Sequence, residues 1–135
     1  MKTIAALLLL SLVGCSSAPV SLATADRVPA DRIVARAKPA AGLLPIVVTR
    51  DSGFIGSACS TTIYVDGDVA AYVRQGEAVT LYVPPGPLIL GAEPTGICIG
   101  GLIETETNIV ANRPARFRVA IDSNGTMTLQ RSAAR

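Results

Sequence analysis

A chain of 135 residues and 13.9 kDa has room for one domain around a single core. Half of its residues are apolar, aromatics are 4%, tryptophan and histidine are absent, and 12 Lys and Arg stand against 10 acids. The lack of histidine excludes triads built on it and removes the commonest metal ligand. The near balance of charge, with arginines scattered along the chain, excludes the clustered cations that track nucleic-acid phosphates.

In chain order, Met1-Lys2 gives a positive start and Ile4 to Val13 is apolar apart from Ser11. As a helix those ten residues would reach only about 15 Å, half of a ~30 Å hydrocarbon core, so the segment reads as a signal h-region and not a span. Leu12-Val13-Gly14-Cys15 follows, and at this distance from the start it resembles the lipobox of bacterial lipoproteins. The resemblance implies that the Cys15 thiol is diacylated and that the bond before it is cut. It also implies that Ser16 directs the chain to the periplasmic face of the outer membrane. Two or three acyl chains anchor stably where one does not. The alternative is an ordinary signal peptide cut near Ser17-Ala18. Removal of residues 1–14 takes away Lys2 and no acid, leaving 11 cations and 10 acids.

Residues 15–43 are rich in Ala, Ser and Pro and read as a flexible tether. Within it, Pro29 to Lys38 has an early acid, late cations and a stop at Pro39, the pattern of a short helix that persists only if Ile33 and Val34 dock. From Leu44 the period becomes two. Strands are expected near 44–50, 59–65, 68–74, 77–83, 88–92, 97–110, 115–122 and 126–131. In Arg116 to Ile121, Phe117, Val119 and Ile121 share one face, and Asn124-Gly125 predicts a two-residue hairpin. The fold class is therefore all-β, a small antiparallel β-sandwich or β-barrel-like domain over 44–135.

Ile63 to Asp68 followed by Val79 to Gly86 and Leu88-Ile89-Leu90 gives strand, Asp-Gly turn, strand, then a strand ending in Pro-Gly before another apolar strand. Residues 59–92 in this respect resemble the small PEGA-like β-domains of bacterial surface lipoproteins. That resemblance implies a structural or interaction module and no enzyme.

With Cys15 taken by lipid, Cys59 and Cys98 form an even pair in an oxidising compartment and are expected to join, two buried thiols being the alternative. Loop 50–58, carrying Arg50, Asp51 and Phe54, is a candidate recognition element or a simple connection. If Asp66-Gly67 and Gln75-Gly76 are both two-residue turns, counting places Tyr64 opposite Val69 and Val69 opposite Tyr82. The row lies on the face away from the core, open to an envelope protein partner or covered by 30–45. The same count turns Ala70 and Tyr72 inward. Asp66-Gly67-Asp68 reads as a turn and not a cation site, which needs more oxygens. Glu104 and Glu106 share a strand face. A carboxylate hydrolase would have to bring Asp51 to one of them, and an inhibitor or exclusion lipoprotein would act through loop 50–58. The function expected ahead of both is a lipid-anchored envelope protein of binding or structural type, with membrane contact through its anchor and no cofactor, metal or nucleic acid.

Overall fold

A computed structural model describes residues 17–133. Cys15 and the expected signal segment before it lie outside the described residues. Nine strands are present among them: β1 (Asp26–Arg27), β2 (Leu44–Arg50), β3 (Thr61–Val65), β4 (Asp68–Val73), β5 (Glu77–Val83), β6 (Gly86–Pro94), β7 (Ile103–Ile109), β8 (Ala115–Ile121) and β9 (Met127–Arg131). They form two sheets, β1-β5-β2-β8-β9 and β4-β3-β6-β7. The first is mixed, because β2 runs parallel to β8 and β1 parallel to β5, whereas the second is antiparallel throughout.

Alternation along each strand turns one set of side chains inward, and the two inward sets make a sandwich core. Ile46, Val48, Val79, Leu81, Val83, Phe117 and Val119 of the first sheet face Ile63, Val65, Val73, Leu88, Leu90 and Ile109 of the second. Each such side chain contributes roughly 1.5–3 kcal/mol by leaving water. Arg116 and Arg118 take the outer side of β8, as alternation requires. The 122–126 connection is one residue longer than expected. Gly125 N–H donates to Asp122 O at 3.0 Å and Gly125 has φ 83°, while the Asp122 carboxylate accepts from Asn124 N–H and Thr126 N–H at 2.8 and 2.9 Å. This is a type I turn closed by a left-handed glycine.

Three expectations are corrected. First, β3, β4 and β5 do not form one meander. Tyr64 does face Val69, but at Gln75-Gly76 the chain crosses to the other sheet, where β5 pairs with β2 and β1. The turn is held away from β4: Gly76 N–H donates to Arg50 O at 2.9 Å and Gly76 O accepts from Asp26 N–H at 3.0 Å. Val69 therefore never meets Tyr82, which lies on the first sheet opposite Pro45. Second, a bulge between Ile63 and Tyr64 leaves Ala70 as the extra residue. Ala70 and Ala71 are both buried, and beyond them Val73 faces in and Tyr72 out, the reverse of the counted register.

Third, residues 17–43 are not a free tether. Ala18 and Ser52 exchange two backbone hydrogen bonds at 2.7 and 3.1 Å, Asp26 and Arg27 add β1 to the sheet edge, and Val28 enters the core. Of the expected helix only a single 3-10 turn, Ala30–Arg32, forms. Beyond it the backbone is given to the sheets: Val34 and Ala35 N–H donate to Ala70 O at 2.8 and 3.1 Å, and Arg36 O accepts from Tyr82 N–H at 2.9 Å. The strap thus closes the side of the sandwich where β4 and β5 would otherwise leave open edges.

Arg32 fastens it. Its guanidinium gives Glu77 a two-pronged contact at 2.8 and 2.5 Å, and Glu77 also accepts from Arg74 N–H at 2.8 Å. Desolvation pulls the Glu77 carboxyl upward. The hydrogen bonds from Arg32 and the Arg74 backbone, with the charges of both arginines, outweigh it and hold the carboxyl below its ordinary value. A depressed folded value stabilises above the unfolded one, and that stability is lost as pH falls below about 4.3 and on through the folded value. The thermal midpoint is therefore expected to fall on acidification through this window, with a shallower fall in Glu77→Gln. An equal acid slope in that variant would remove Glu77 from the account.

Candidate contact site at the disulfide-linked end

Because β2 and β8 are parallel and Thr61 of β3 pairs with Pro94 of β6, connections 51–60, 95–102 and 122–126 emerge at one end of the sandwich, with turn 74–76 beside them. Arg50, at the end of β2, is only 2% exposed. Its guanidinium donates to Gly56 O at 2.5 Å, to Cys59 O, and to Val73 O at 3.3 Å, so loop 51–60 is wrapped around a buried cation. Burial lowers its pKa, and the charge of Glu77 opposes that shift. Asp51 is buried too. It accepts from Arg118 Nε at 2.7 and 2.9 Å and from Nη2 at 2.5 Å, which raises the Arg118 pKa, and Ser17 Oγ lies 3.4 Å from it. The expectation that Arg50 and Asp51 present recognition groups is thus corrected: both charges are buried, Arg50 because a loop that turns over a sheet end must find donors for its own carbonyls, and Asp51 because it is paired with Arg118. Phe54 alone of the three points outward, 81% exposed.

Cys59 and Cys98 are joined, with Cα atoms 6.1 Å apart, tying loop 51–60 to loop 95–102. Thr95 adds two hydrogen bonds at 2.9 Å, from N–H and from Oγ1, to Ser60 O. Strand β7 begins only at Ile103, so Ile97 and Ile99, expected within a strand over 97–110, stand on the loop at 87% and 97% exposure. The glycines at 96, 100 and 101 were the available signal: a run of apolar residues broken on both sides by glycine does not pair well. Between the two loops and β8-β9 opens a largely apolar cleft of about 420 Å³, lined among others by Ile55, Ile99, Ile103, Ile121 and Met127. Gly56, in its lining, is favoured by a φ of +72°, and a Cβ there would come within 2.7 Å of Ile121 Cδ1 and make that side chain shift.

The other expected site residues are dispersed. Tyr64 lies on the outer face of the second sheet and donates to Glu93 Oε2 at 2.8 Å, a bond that raises its pKa. Val69 is beside it on β4, whereas Tyr82 is on the other sheet, so the proposed three-strand row does not exist. Glu104 and Glu106 are exposed on the outer face of β7, and Asp51 is held by Arg118 on the outer face of the opposite sheet, so the carboxylate pair of the hydrolase reading is not assembled. Asp66 accepts from Ile89 N–H at 2.9 Å, tying its turn to β6 at the far end. Among the described residues no helix is long and apolar enough to cross a membrane.

The fold and the cleft define a small two-sheet β-sandwich with an apolar end. Compared with models of known protein families and with curated proteins, the chain matches none.

Proposed function

We propose that this chain is a lipid-anchored envelope protein of the binding type, held by acyl chains on Cys15 and working through the disulfide-linked end of its sandwich. The observation that supports the reading is that Phe54, Ile97 and Ile99 are left bare on loops whose undersides are fixed by Arg50, Asp51 and the Cys59–Cys98 bond. Large apolar side chains on rigid supports are what a contact surface needs, because little conformational freedom is lost on binding. The lipobox-like Leu12 to Cys15 supports the anchor, Ser16 the outer membrane, and the PEGA-like stretch an interaction module. The test is the intact mass of protein extracted from membranes after expression with its own leader. A chain beginning at Cys15 with two or three acyl groups is expected, and an unlipidated chain beginning near Ala18 would overturn the anchor.

A further inference from the structure

Loops 52–60 and 95–102 contain no charged residue, and they carry Phe54, Ile97 and Ile99 side by side with an apolar cleft. Scattered exposed apolar residues are ordinary on a protein surface, but Phe54, Ile97 and Ile99, with the half-exposed Leu102, concentrated on two linked loops call for a covering phase. The path of the chain says which one. Ser17 packs directly on loop 51–60: a Cβ on Gly53 would lie 3.1 Å from Ser17 Cα, and Ala18 is bridged to Ser52. Phe54 is the next residue. Cys15 is two residues upstream of Ser17, and two extended residues span at most about 7 Å. The folded strap that follows leaves no slack to pay out, so a leaflet holding acyl chains on Cys15 lies against this end of the sandwich and no other.

We infer that the covering phase is the bilayer itself. Resting on the anchor reading above, Phe54, Ile97 and Ile99 enter the boundary between headgroups and acyl chains of the leaflet that carries the Cys15 lipid. The domain then lies on the membrane with its disulfide-linked end down. Insertion at such a boundary is shallow, roughly 5–10 Å, which suits loops whose backbone polar groups still need water or headgroups. The absence of charge on both loops means that the contact is apolar and little affected by salt. A partner protein on the same loops is the competing occupant.

The chain has no tryptophan, so one introduced indole reports its own surroundings. Phe54→Trp and Ile99→Trp replace exposed side chains, and Val110→Trp places the probe at the far end, beyond β7. Each full-length lipoprotein is incorporated into phosphatidylethanolamine–phosphatidylglycerol vesicles with and without acyl-brominated lipid, and flotation and intact mass are recorded on the same samples. The expected result is flotation of all three, with loss of most of the emission to brominated lipid at positions 54 and 99, little loss at 110, and iodide quenching only at 110. Floating protein whose indoles at 54 and 99 are quenched by iodide and not by brominated lipid overturns the inference and leaves the anchor standing. Indoles shielded from both quenchers show a second copy of the chain covering the loops and overturn it equally. Protein that neither floats nor carries acyl mass overturns the anchor, and the inference with it.

Discussion

Replacing Arg50 with methionine is expected to lower stability by about 3–5 kcal/mol, a large share of the roughly 5–15 kcal/mol of a small domain. Methionine keeps much of the volume but leaves Gly56 O, Cys59 O and Val73 O, which the guanidinium serves from a buried position, without that donor. Each unmet buried carbonyl costs about 1–3 kcal/mol. The relief of removing a buried charge offsets only part of that total. Arg50→Lys retains the charge but not the planar fork, and is expected to recover part of the loss. Thermal unfolding followed by circular dichroism checks both. A methionine variant within about 1 kcal/mol of the parent, far under this range, would show that the loop stands without its buried cation.

Loss of the Cys59–Cys98 bond is the second large effect. The bond spans 39 residues, and in the chain-entropy description closure of such a loop contributes about 4 kcal/mol. For a domain of this size that corresponds to a fall in midpoint on the order of 15 °C in Cys59→Ala with Cys98→Ala. Reductant on the parent should reproduce it. The two loops would also part, so limited proteolysis should gain cuts within 51–60 and 95–102. Cys15→Ser should leave the midpoint unchanged, since the bond that staples the loops joins Cys59 to Cys98; a midpoint that falls with Cys15 and not with the pair would reverse the assignment of the three cysteines.

What the sequence makes legible is the local pattern. All eight expected strands are present, because alternation such as Phe117, Val119, Ile121 needs only a buried face to be recognised. The pairing of Cys59 with Cys98 follows from counting cysteines. Which sheet a strand joins is not local information. β5 carries Val79, Leu81 and Val83 inward whether it continues β4 or faces it, and the difference lies in hydrogen bonds of Gly76 to Arg50 and Asp26, remote in sequence. The strap over 17–43 is hidden for a similar reason: its composition is that of a linker, and it is held by backbone bonds, Val28, Ile33 and one Arg32–Glu77 contact. Arg50 and Asp51 mislead in the opposite sense. Charges where a strand passes into a loop read as exposed, yet Arg50 supplies the internal donor of the loop that carries Phe54, and Asp51 is taken up by Arg118. The bare apolar end is half legible, through Phe54, whereas Ile97 and Ile99 read as part of a longer strand over 97–110.

The central claim, attachment through Cys15, is tested most directly by separating membranes from soluble periplasm in cells expressing the parent chain or Cys15→Ser, with both folded. The parent is expected in the membrane fraction, released by detergent and not by salt, and the serine variant in the soluble fraction. A serine variant that stays with the membrane, or a parent chain that is soluble, would contradict it.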